Sequence, residues 1–209
     1  MSRSLLFLLA FVAPMFTAHP AQAGWEVGVT NVTAWSNNEY LGDPHGWSFF
    51  LTKSLSERLN LRGSFGDLDH NSRYIGTLPF VFQPPGPWSV QQYISGNARI
   101  DLYEVSLDYA VIKVSKMRLE VGGGLGYGHA RLSLYGEQSG DSLTAGNDLG
   151  ALSLRVQLLV KELIHSPLAL RLAFQHRRVD TVVHSATDGF EPFADLALSS
   201  VEVGLLVRF

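Results

Sequence analysis

From Gly24 to the last residue, apolar side chains return at every second position in runs of about ten residues, and this period decides the fold class. A step of two belongs to an extended strand, whose successive side chains point to opposite faces; a helix would bring them back every three to four. The runs are Trp25-Val27-Val29, Trp47-Phe49-Leu51, Leu59-Leu61-Phe65, Tyr103-Val105-Leu107-Tyr109, Leu119-Val121-Leu125-Tyr127, Leu152-Leu154-Val156-Leu158, Leu168-Leu170-Leu172-Phe174 and Val201-Val203-Leu205-Val207-Phe209. Eight strands follow. Each matches the roughly 9–11 residues that a tilted crossing of a hydrocarbon layer requires. Their connections alternate in length: 56–58, 113–116 and 161–167 are short, whereas 36–46, 67–98, 131–150 and 179–197 are long. A meander with short turns on one side and long loops on the other is the layout of a bacterial outer-membrane barrel, with both chain ends on the periplasmic side. The expectation is an all-β, eight-stranded antiparallel up-and-down transmembrane β-barrel over residues 24–209.

Alternation does not say which face is outside. A soluble lipocalin-like barrel also alternates, with its apolar side chains inward. Three features favour the membrane version. The polar face is rich in Gly, Ser, Ala and Arg but poor in Lys, which suits an ion-paired interior. The aromatics fall near two levels, Trp25, Tyr109 and Phe209 at one and Trp35, Trp47, Phe65, Tyr103, Tyr127 and Phe174 at the other, as interfacial girdles do. Phe209 also ends an alternating strand with no tail after it.

Composition removes other classes. The chain has 209 residues, 17% of them charged, 12 Phe and no Cys. That excludes a disulfide framework, a thiolate metal site and a cysteine nucleophile, and it is unlike a disordered chain. A net charge of -3 speaks against a nucleic-acid surface. Residues 1–23 read as a secretory signal peptide: Arg3 opens it, an apolar stretch covers 5–16, and Ala21-Gln22-Ala23 forms the small-x-small cleavage site. That stretch is short of the ~20 apolar residues of a spanning helix.

With these residues in view, the chain resembles the small OmpA-like outer-membrane β-barrels of Gram-negative bacteria. The likeness is carried by Gly24-Trp25-Glu26-Val27-Gly28-Val29 directly after the leader, by the glycine-rich strand from Val121 to Gly128, and by the closing Val201-Glu-Val-Gly-Leu-Leu-Val-Arg-Phe209. It implies that Phe209 and the alternating residues before it are the segment read by the barrel-assembly machinery. No peptidoglycan-binding segment follows Phe209, so that part of the larger family's function is not carried over.

Eight strands leave a lumen just wide enough for side chains to fill. The inward set contains Arg62, Arg118, Arg155, Arg171 and Arg208 beside Glu26, Glu104, Asp108, Glu120 and Glu202, a neutralised network rather than an ion path. Negligible conductance is expected. The inward glycines 122, 124, 126 and 128 give long side chains room. No cofactor and no metal are expected; Asp67, Asp69 and His70 have ligand-type atoms but read as turn and loop-start residues.

Some eight-stranded barrels are enzymes, and the lipid A 3-O-deacylases use a His-x-Ser pair near the outer leaflet with a downstream Glu. His176 stands where such a histidine would, yet its +2 residue is Arg178. His70-Asn71-Ser72 has the spacing but falls in a long connection. His184-Ser185 with Glu191 is a looser set, and His165 reads as a solvated turn residue. A nucleophile needs its base within hydrogen-bond reach and a group to orient that base, and sequence alone shows this for none of them. Residues 67–98 contain Leu78-Pro-Phe-Val-Phe82, a Pro-Gly stretch at 84–87, and an alternating run at 88–94, which read as a hairpin rising beyond the membrane. The expected function is therefore a non-enzymatic outer-membrane barrel with a filled interior. It would act at the cell surface through the long loops, toward lipopolysaccharide, outer-membrane lipids or a surface ligand. A lipid A-modifying enzyme is the runner-up, and a soluble periplasmic ligand-binding barrel the third reading.

Overall fold

A computed structural model describes residues 24–38, 42–76, 92–140, 142–161, 167–184 and 195–209, with side chains described to 73 in the third strand and to 180 in the seventh. The expected leader and residues 78–91 of the expected hairpin lie outside these. Eight strands run in chain order: β1 (Trp25–Ser36), β2 (His45–Ser54), β3 (Leu59–Gly76), β4 (Gln92–Lys113), β5 (Met117–Gly136), β6 (Ser142–Lys161), β7 (Leu168–His184) and β8 (Leu196–Arg208). Each pairs antiparallel with its sequence neighbours, and β8 returns to β1 from Glu26↔Arg208 to Ser36↔Leu198. Closure leaves no strand edge within the wall, so the wall's backbone groups can be satisfied away from water. The amide of Phe209 donates to the Trp25 carbonyl at 3.0 Å, tying the residue after β8 to the start of β1.

The lower wall follows the sequence pattern. On β4, Val105, Leu107 and Tyr109 are exposed while Glu104, Ser106 and Asp108 are buried. Above it the strands do not stop where the alternation falters. They reach 22 residues in β4 and 20 in β5 and β6, about twice the expected span. The connections expected at 67–98, 131–150 and 179–197 are largely strand at both ends. The reason is a reversal of phase. Past the adjacent apolar pair Leu102-Tyr103, the outward residues become Asp101, Arg99 and Asn97, and the buried ones Leu102, Ile100 and Ala98. On β5 the same change follows Tyr127: His129 and Arg131 face out, Ala130, Leu132 and Leu134 are buried. Outside, lipid gives way to water; inside, ions give way to an apolar plug. A sequence reader sees broken alternation, although the backbone continues unchanged.

Asp67, Asp69 and the run His70-Asn71-Ser72 therefore lie on β3 and not in a turn or loop. β2 pairs with β3 only up to His45↔Asp69, while β3–β4 pairing continues to Gly76↔Gln92 and β5–β6 pairing to Tyr135↔Ser142. One side of the barrel thus rises as a four-stranded β3–β6 sheet.

Candidate functional site

The lower lumen holds five buried acids and five buried arginines among the described residues. They form one chain of contacts. At the end of the barrel where β1 begins and β8 finishes, Arg118 Nη2 donates to Glu26 Oε2 at 2.9 Å, and its Nε lies 2.6 Å from Glu120 Oε1. Asn60 donates to Glu120 at 2.7 Å, and Gln157 donates to both Glu120 and Asp108. Arg155 then reaches Asp108 at 2.8 Å, Ser106 at 2.5 Å and Glu104 at 3.3 Å. Glu104 also accepts from Gln175 at 2.8 Å and from Arg177 at 3.2 Å. Glu202 closes the chain, 3.4 Å from Arg177 and 2.6 Å from Arg171. Equal numbers of opposite charges, each aimed at another, are what a charged interior requires.

Arg62 is the exception in its bonding. Its Nε lies 3.2 Å from Asp108 Oδ2, but none of its three nitrogens has an aligned acceptor among the described residues. Its guanidinium instead lies 4.5 Å from the centre of the Phe50 ring, which Arg171 approaches at 4.7 Å. Phe50 is thus the one aromatic on the polar inner face of β2, and two planar cations use its ring.

Of the ten network residues read from sequence, Arg208 is misplaced. Its side chain is 45% exposed and reaches Glu26 only at 3.9 Å, because it is the last residue of β8 and stands at the lower rim, where the lumen opens to water. The residue missed was Arg177. The alternation that puts Arg171 and Gln175 inward also reaches it, but residues 177–178 are both arginine and lie at the phase reversal. Asn60, Gln157 and Gln175 complete the network as neutral connectors. Among the glycines of β5, position 122 stands against the ionic network. A Cβ there would stand 1.9 Å from Asp108 Oδ1, where that carboxylate takes Arg155.

Above the ions, Ile94, Ala98, Ile100, Leu102, Ala130, Leu132, Leu134, Leu149, Val179, Leu196 and Leu198 form a buried apolar cluster that caps the lumen. Between the two layers is a cavity of about 10 Å³, lined in part by Ser48, Ser64, Glu104 and Arg177. That is room for about one water.

The outer wall has the opposite order. Trp35, Trp47, Tyr103, Tyr127 and Phe174 are exposed, and Phe65 packs on Tyr103 with ring centres 4.9 Å apart. Above them Asp67, Asp101, His129 and Asp148 are successive register partners on β3 to β6. Arg99 bridges Asp67 (2.9 Å) and Asp101 (3.4 Å), and His129 Nδ1 lies 2.9 Å from Asp148. At the top, Glu137 accepts from Arg73 at 2.6 Å and from Ser95 at 2.7 Å, and these two bonds hold its carboxyl below the usual carboxylate range.

The histidine candidates separate. His70 Nδ1 meets the Asp43 carbonyl at 3.2 Å, tying down the β1–β2 connection, and is not bonded to Ser72. The His184-Ser185-Glu191 side chains and His165 lie outside the described residues. His176 Nδ1 is 2.9 Å from Ser199 Oγ, a partner from the neighbouring strand.

An eight-stranded barrel with an apolar outside and an ionic inside is the architecture of outer-membrane proteins. The chain is a bacterial outer-membrane protein. No protein-family model matches it, and no curated protein matches it by sequence. Its fold is nevertheless shared with solved structures. Neisserial surface protein A aligns with a TM-score of 0.57 at 12% identity, over 90% of this chain and 99% of that one. A major outer membrane protein from Thermus thermophilus gives 0.56 at 13% identity, with 90% and 99% covered. Ail, the attachment invasion locus protein of Yersinia pestis, solved with the heparin analogue sucrose octasulfate, gives 0.53 at 12% identity, with 90% and 99% covered. At such identities the likeness is one of fold.

Proposed function

We propose that this chain is a small OmpA-like barrel that conducts nothing and works as a structural and interaction element at the cell surface. The observation carrying this reading is the doubly filled lumen, an unbroken ionic chain below and an apolar cap above, with about one water's space between them. A transport path would need a connected aqueous route, and a small barrel has no cross-section left for one.

Contact is then made from the outside. The tall β3–β6 sheet with its outward Asp67–Asp101–His129–Asp148 row is the face that meets the headgroup region and the medium. Lipopolysaccharide, outer-membrane lipids and a surface ligand are the partners of that face. The ion network is a structural filling, and Phe209 with its alternating strand is the segment handed to the barrel-assembly machinery. The test is electrical. The folded protein in a planar bilayer should show negligible conductance, and a stable, reproducible open channel would overturn the sealed reading.

A further inference from the structure

We infer that His176 and Ser199 form a base–nucleophile pair on the outer wall that hydrolyses carboxylic esters of acylated lipids in the outer leaflet. This goes beyond a purely structural role and does not depend on the lumen being sealed.

The two residues are direct register partners on β7 and β8, and both point away from the lumen. The 2.9 Å contact between His176 Nδ1 and Ser199 Oγ sets an imidazole nitrogen against a hydroxyl, and in the tautomer with its proton on Nε2 that nitrogen accepts the serine proton, the first requirement of an activated serine. Their level is equally specific. Ten residues of β8 and its end separate Ser199 from Phe209, which at the rise and tilt of a barrel strand is about 25 Å, the height of the apolar band. Phe174 lies below His176 on β7, Leu154 pairs with it across β6, and Trp35 is the β1 partner of Ser199. Arg178 lies above on β7, its side chain 68% exposed and only loosely held by Asp195 at 3.7 Å. The pair thus sits between an acyl-chain surface and an available cation, where a lipid's ester linkages meet its phosphates. Among the described residues no carboxylate is a register neighbour of His176, so those residues supply a dyad, with Arg178, two positions on along the same face of β7, the group available to oppose oxyanion charge.

The chemistry needs only water. Ser199 Oγ attacks the ester carbonyl carbon as its proton passes to His176. The carbonyl–oxygen single bond breaks and His176 returns the proton to the departing alkoxide, leaving an acyl-serine. Water, deprotonated by His176, then attacks the acyl group, releases a fatty acid and restores the serine. The search along one strand for a serine at +2 could not find this partner, which is 23 positions away in sequence.

The test uses the whole folded protein in phosphatidylethanolamine–phosphatidylglycerol vesicles, with and without added lipopolysaccharide. Released fatty acid is measured by mass spectrometry, and an alkyl fluorophosphonate maps the reactive serine. Fatty acid should appear in at least one arm, which identifies the lipid source, and the probe should modify Ser199. Ser199→Ala should abolish both. His176→Gln, which keeps a hydrogen-bonding side chain but no base, should slow release by about 100-fold or more. Heat-modifiable gel migration establishes that each variant is folded. No release in either arm, labelling at a different serine, or undiminished release from a folded His176→Gln protein would each overturn the proposal, leaving the contact a mere hydrogen bond.

Discussion

Replacing Glu104 with glutamine removes the charge from an acceptor that three donor side chains share in the lumen. The carboxylate accepts from Arg155 at 3.3 Å, Arg177 at 3.2 Å and Gln175 at 2.8 Å, and its side chain is 4% exposed. Glutamine keeps the shape but turns one oxygen into a donor facing donors. Breaking a buried ion pair from one side costs about 3–5 kcal/mol. Here both arginines keep a second acid, Asp108 for Arg155 at 2.8 Å and Glu202 for Arg177 at 3.4 Å, which places the effect at the lower end. A loss of about 3 kcal/mol is a large part of the ~5–15 kcal/mol that holds a typical domain together. Urea unfolding of the barrel in lipid vesicles, followed by the fluorescence of its four tryptophans, measures it. Arg155→Met and the double variant complete the cycle. The double variant should be more stable than the sum of the two single losses, because removing both members of a pair costs less than orphaning one. A Glu104→Gln protein within about 0.5 kcal/mol of the parent, or strictly additive losses, would refute the account of the lumen as one coupled network.

Leu205 on β8 is 49% exposed on the apolar outer wall, and Leu205→Arg should cost about 2–4 kcal/mol in the same vesicle assay; a soluble barrel with that face in water would show almost none. Gly122→Ala forces a methyl group onto the Asp108 carboxylate and should destabilise by about 1–3 kcal/mol, seen as a lower temperature for the heat-induced gel shift. Unchanged migration would mean that Asp108 and Arg155 can separate freely. Because the Glu137 carboxyl is held below its ordinary range, its clasp on Arg73 and Ser95 stabilises the upper sheet at neutral pH. That contribution is lost as pH falls through its lowered value. Amide protection factors at the tips of β3 to β5, corrected for the intrinsic slowing of exchange in acid, should therefore fall on acidification, and Glu137→Gln should show the lowered protection already at pH 7.

The strand period, the strand number and the lipid-facing side of the lower wall could all be read from the chain, because a closed wall between two solvents imposes one rule on every second residue. Nine of the ten ionic residues followed from the same rule, and their pairing did not. Arg118 joins Glu26 and Glu120, and Arg177 joins Glu104 and Glu202, across distances of 92 and 73 positions in the longer cases, which only the register of closure fixes. The upper sheet was hidden for a different reason. Above the Leu102-Tyr103 step lipid ends on one face and the ionic filling on the other, so both faces exchange polarity together and the strand resembles a loop. The His176–Ser199 contact belongs wholly to the tertiary structure: local sequence can place a histidine on a wall, but a neighbouring strand decides what stands beside it.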